Sequence, residues 1–335
     1  MGTVSTVSVG SKVTATDFNN LRDPVLAMLG PPTGAYVDDG SNGTIEGYNE
    51  FQQITQNVYS AGEEVTIDQW NAVIDNVVLI HNHRTGTDPS SPALPPIVLG
   101  DKITASKYND IVSVHNANYN DRFTVDAANV SIDTATTGSL AAGWNGNQRH
   151  VFNITFASED DKFAFFNTGS SLRITASATY GASESKSLDW VNMVNNLEDV
   201  EISAKGTTYT NSSYAGGTKL VSYQGWYYLD SLPNGTPDTI IYKFDSSKDG
   251  GTAEYNENFC QYRFRRVSDL VYSIFLDFRD IDTGEPDDFI DENVQTVINT
   301  TVSVIYPTNV SLITAVKPTF TANSTETVGF TASYP

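Results

Sequence analysis

The sequence predicts an α+β protein, with small N-terminal helical repeat units over residues 1–122 followed by a predominantly antiparallel β-sandwich body over residues 123–335. Three observations predict it. One twelve-residue pattern recurs three times before residue 112. The hydrophobic period then changes from helical to alternating near Phe123. Beyond that point the apolar runs are short, rich in β-branched and aromatic residues, and bounded by Gly, Ser, Asn and Asp.

The pattern reads G-x-x-[VI]-T-[AI]-x-x-[FWY]-N-x-[LVI], with copies running from Gly10 to Leu21, Gly62 to Val73 and Gly100 to Ile111. Thr14, Thr66 and Thr104 are helix N-caps, and Asp17 and Gln69 stand where a capping box needs them. After Trp70, the residues Val73, Ile74, Val77, Val78 and His81 keep helical spacing, as do Ile111, Val112, His115 and Tyr119 after Tyr108. In the first copy, Asp23-Pro24 predicts a break, with a short helix restarting to carry Val25, Leu26, Met28 and Leu29. Each Gly, preceded by runs such as Pro96-Ile97-Val98-Leu99, predicts a turn or short strand feeding its helix. One unit cannot bury its stripe alone. Phe18, Leu21, Trp70, Val73, Ile74, Val77, Tyr108, Ile111 and Val112 are therefore interface candidates, packing either between units of an array or within a compact three-helix domain.

In the body, strands are expected around 151–156, 172–178, 225–229, 239–244, 271–278, 299–306 and 328–334. One helix is expected over Asp189 to Leu197, because Trp190, Met193, Val194 and Leu197 share a face.

The formal charge of −21 comes from 40 acids against 19 bases, and such a field repels bare nucleic acid and anionic membrane. Residues 1–123 carry 6 bases and 14 acids, so the excess is distributed and not an acidic tail. The lone Cys260 excludes an intrachain disulfide and, opposite Phe259 in an alternating run, reads as a small structural residue. There is no basic n-region with an apolar h-region, and no run approaches the ~20 apolar residues of a membrane span.

His81 and His83 form an H-x-H element, but residues two apart on a helix point about 200° apart and cannot share an ion. Asp280, Asp282, Asp287 and Asp288 form the richest candidate for a Ca²⁺ site, since Asp280-Ile281-Asp282-Thr283-Gly284 has alternating oxygens and a glycine turn. The match to an EF-hand is partial, and a solvated loop is the simpler reading. No Ser-His-Asp order, H-E-x-x-H or phosphate loop is present, so no enzyme is expected and no cofactor beyond that Ca²⁺. Trp144, Trp226 and Tyr227 are candidate glycan contacts, with core or interface packing as the alternative.

The repeat and the body together resemble structural proteins of tailed phages, particularly contractile-tailed phages of cyanobacteria. The body part rests on 150–156, on Phe165-Phe166-Asn167-Thr168-Gly169, and on Asp189-Trp190, Gly225-Trp226-Tyr227-Tyr228-Leu229, Tyr255-Asn256 and Asp287-Asp288-Phe289-Ile290-Asp291-Glu292. The turn departs from the family pattern, with Ser170 where a second glycine is expected. The resemblance implies a virion component of the tail, baseplate or tail fibre, assembled in the host cytoplasm. It would bind copies of itself, as a trimer or hexamer, and other virion proteins. A receptor- or glycan-binding fibre module and a head decoration or neck protein are the alternatives.

Overall fold

The computed structural model of the chain describes residues 3–30, 47–48, 59–60, 63–138, 147–179, 185–210, 218–235, 237–245, 258–280, 296–309, 313 and 316–327. It divides into two compact units. The first comprises Met1–Ser131, Ser158–Ser170 and Ile305–Lys317, and the second comprises Ile132–Ala157, Ser171–Val304 and Pro318–Pro335.

Three helices build the first unit: α1 (Ala15–Leu29), α2 (Ile67–Thr85) and α3 (Ala105–Asn120). The hydroxyls of Thr14, Thr66 and Thr104 accept the amides of Asp17, Gln69 and Lys107, and the first two caps are completed by the Asp17 and Gln69 side chains. Each cap satisfies amides that the helix cannot, worth about 1 kcal/mol. The expected break at Asp23-Pro24 does not occur, and α1 continues through Pro24. Phe18, Leu21, Val25 and Met28 form one fully buried stripe across the proline, and its burial outweighs the single amide hydrogen bond that proline removes.

The stripes of the three helices meet in one core, each helix packing on the other two. Equivalent positions superpose down the helices. Leu21, Val73 and Ile111 are fully buried, as are Val25, Val77 and His115 one turn further on, and then Met28, Ile80 and Asn118. The lead aromatics pack edge to face, Phe18 against Trp70 at 4.8 Å and Trp70 against Tyr108 at 6.4 Å between ring centroids. This corrects the interface assignment. Phe18, Leu21, Trp70, Val73, Ile74, Val77, Tyr108, Ile111 and Val112 are all at most 4 % exposed and form an intrachain core, the compact outcome and not the array.

A fourth helix, α4 (Glu159–Asn167), joins this unit although periodicity assigns its residues to the body. Ser158 caps it, three acids occupy its first turn, and Phe163, Phe165 and Phe166 are buried. Asn167 Nδ2 donates to the Gly47 carbonyl at 2.9 Å, and the Thr168 carbonyl lies 3.0 Å from His83 Nε2.

The second unit consists mainly of two antiparallel sheets. The first has the order β1 (Val130–Gly138), β10 (Val297–Pro307), β3 (Ser171–Thr179), β4 (Asp199–Ser203) and β5 (Gly206–Thr210). The second has the order β11 (Thr319–Thr327), β2 (Asn147–Thr155), β9 (Val271–Arg279), β8 (Phe259–Arg266), β7 (Thr239–Asp245) and β6 (Thr218–Lys219). The sheets are tied by polar contacts. His150 Nδ1 on β2 lies 2.8 Å from Thr300 Oγ1 on β10, and the Tyr209 hydroxyl on β5 donates to the Ile241 carbonyl on β7 at 2.9 Å. Alternation along β9 sends Tyr272, Ile274, Leu276 and Phe278 into the core at zero exposure. The expected 189–197 helix is α5 (Ser185–Asn195), which packs on β3 with Trp190, Met193 and Val194 buried.

Residues 225–229 are not a strand. They open α6 (Trp226–Ser231), because Gly225 sits where a Cβ would come within 2.4 Å of the Ser203 carbonyl oxygen and 2.7 Å of Gly206 Cα. That backbone approach turns the chain inward and buries Trp226 against Tyr272, with ring centroids 4.7 Å apart. The expected strand at 328–334 lies outside the described residues, and β11 precedes it.

Candidate functional site

The repeat closes into a ring through the asparagine that follows each lead aromatic. Asn19 grips the backbone of Tyr59, its Nδ2 donating to the carbonyl at 2.7 Å and its Oδ1 accepting the amide at 3.2 Å. Asn71 grips Ile97 in the same way, at 3.0 and 2.7 Å. Asn109 grips Val7, with both bonds at 2.9 Å. Each gripped residue lies three positions before the glycine of the next repeat, and the third repeat grips the first. The chain therefore closes head to tail within one molecule, the rotary arrangement that heterologous contacts produce when they close.

Between gripped residue and cap, each copy has the same backbone hydrogen bond, the Ser11, Glu63 and Asp101 amides donating to the carbonyls of Ser8, Ser60 and Val98 at 3.0–3.1 Å. Gly10 (φ 88°) and Gly100 (φ 96°) occupy the left-handed position such turns require. Val9 and Leu99, just before them, are 91 % and 93 % exposed.

Equivalent positions of the repeat carry different charges. Lys12, Glu64 and Lys102 occupy equivalent positions, as do Ser11, Glu63 and Asp101, and likewise Thr16, Asp68 and Ser106. Where the second repeat meets the third, this collects Glu64, Asp68 and Asp101 around a groove of about 520 Å³. Its floor is apolar, made by Val65, Ile67, Ile97 and Ile103 with Trp70. All three acids are exposed, and Glu64 and Asp68 make no ion pair among the described residues. An apolar floor under a carboxylate rim suits a cationic side chain on an aliphatic stem.

The other candidate sites resolve differently. Trp226 (0 % exposed) and Tyr227 (2 %) are core residues and unavailable to a glycan, which corrects that assignment, while Trp144 lies outside the described residues. Asp280 is buried, and Asp282, Asp287 and Asp288 lie outside the described residues. Among the described residues no group of three or more His, Cys, Asp or Glu side chains is placed to hold a metal ion. His83, not His81, is the fully buried member of the H-x-H pair, and burial pushes its pKa down to about 4.

A buried charge network lies on the face of the second sheet opposite Tyr272, Ile274, Leu276 and Phe278. Asp277, opposite Arg149 on β2 and Gln261 on β8, accepts from Arg149 Nε at 2.5 Å, from Arg149 NH2 at 2.9 Å and from Gln261 at 3.0 Å. Arg263 and Arg279 lie at 3.4 and 3.5 Å from the same carboxylate. Burial alone would raise this carboxyl, but the Arg149 hydrogen bonds and charge, with Arg279 and Gln261, hold it below the usual carboxylate range. The guanidiniums of Arg149 and Arg265 lie 4.9 and 5.0 Å from the Phe275 ring centre, and Asp238 ties Arg263 to Arg265. Strand pairing alone brings these residues together, so only the partner register could have revealed them.

Comparison of the chain with protein-family models, with curated proteins and with solved structures found no match. No described helix is long and apolar enough to cross a membrane.

Proposed function

We propose that this chain is a non-catalytic structural component of a tailed-phage virion, associated with the tail, baseplate or tail fibre, that acts by self-assembly and by docking to other virion proteins. The observation that carries the reading is the ring of three repeats. It satisfies its own core, leaves apolar turn tips exposed at Val9 and Leu99, and carries an acid-rimmed groove between the second and third repeats, the features of a docking surface. The likeness of the triple pattern and of the body segments to phage structural proteins supports the placement in a virion. A receptor- or glycan-binding role draws no support from Trp226 or Tyr227, both buried.

The test is immunogold electron microscopy of purified virions of the encoding phage with antibody to residues 124–335, paired with an immunoblot of disrupted particles. Gold on the tail or baseplate is expected. Gold on the head would make the protein a decoration or neck component, and a blank immunoblot would overturn the virion reading.

A further inference from the structure

We propose that the acid-rimmed groove between the second and third repeats receives the first-repeat turn, Ser8–Lys12, of a second copy of this chain. The inference rests on the self-assembly reading above and names its contact. The turn carries what the groove lacks. Val9 projects from it at 91 % exposure, and Lys12, three residues on, is an exposed cation outside any ion pair among the described residues. The groove offers an apolar floor around Ile67 and Ile103 for the valine and the lysine stem, with Glu64 and Asp68 for the ammonium.

The repeat makes the match directional. Glu64 replaces the lysine found at the same place in the other two copies, so the acidic groove forms at this junction, while the first-repeat turn keeps its lysine. Groove and turn are different surfaces of one chain, so the contact is heterologous, and each docked copy retains a free groove or a free turn for the next. The net charge of −21 disfavours indiscriminate association, and it is screened beyond the Debye length of about 8 Å at physiological salt, while a contact pair is not.

Sedimentation velocity of the full chain, over a wide concentration range at physiological ionic strength, tests this. Concentration-dependent oligomers are expected. Lys12→Glu and Glu64→Lys should each weaken association by about tenfold or more, and the double variant Lys12→Glu/Glu64→Lys should recover it. Circular dichroism melting should leave all three variants unchanged, since both residues are exposed. Single variants that associate like the parent, or a double variant without recovery, overturn the proposed contact and leave self-assembly standing. A parent chain that stays monomeric at every concentration overturns both.

Discussion

Asn109 holds the backbone of Val7, 102 positions earlier in the chain, through a pair of 2.9 Å hydrogen bonds that close the three-repeat ring. Asn116 repeats the grip one turn pair later on Val4, at 2.7 and 2.9 Å. The segment before the first turn is thus the closing element of the core, and Val4 is buried in it.

Asn109→Ala should leave the Val7 amide and carbonyl without these partners and cost about 1–3 kcal/mol in urea unfolding. Hydrogen exchange should show the Val7 amide losing protection, while the Ile97 amide, held by Asn71, keeps its own. Unchanged protection at Val7 would show that the grip does not close the ring.

Gly225→Ala should be more damaging than Gly10→Ala. At Gly10 a Cβ meets nothing within 4 Å, and the cost is the left-handed φ of 88°, about 1–2 kcal/mol. At Gly225 the Cβ collides with backbone on two sides, which no side-chain rotation relieves. Trp226→Ala next to it should lower stability by about 3–5 kcal/mol. Thermal melts of the three variants rank them.

Asp277→Ala removes the buried carboxylate that Arg149 and Arg279 share and should cost about 3–5 kcal/mol. Asp245→Ala, which removes a partly exposed pair with Lys243, should change stability by no more than about 1 kcal/mol. Equal effects in chemical denaturation would refute a structural role for the buried network.

Stability should fall on acidification. Burial lowers the pKa of His83 and His150 to about 4 in the folded chain, against about 6.5 when unfolded. The unfolded state therefore binds protons first as pH drops below about 6.5, and the stabilisation is complete above that value and lost toward about 4. Each residue contributes on the order of 3 kcal/mol to the loss. Asp277, held below the ordinary carboxylate range, acts in the same direction at lower pH. Urea midpoints measured between about pH 7 and about pH 4.5 should decline, and His150→Gln should flatten the slope.

Much of this was legible in the residues because it is local. The capping threonines, the helical stripes and the strands around 151–156, 172–178, 239–244, 271–278 and 299–306 each depend on near neighbours, and local physics sufficed to place them. The recurrence of Asn19, Asn71 and Asn109 was equally visible, but their partners lie 26 to 102 positions away, so their role was not.

By itself, then, the sequence determined the repeat, its caps and the α+β class, because periodicity and capping act within a few residues. Tertiary structure decided that the stripes close on one another instead of facing a partner. It carried α1 through Pro24, because burial of one stripe exceeds one lost hydrogen bond. It also turned 225–229 into a buried helix, because Gly206 and Gly225 can approach as no residues with a Cβ could. The groove arose the same way: Glu64, Asp68 and Asp101 converge only when the second repeat is held against the third.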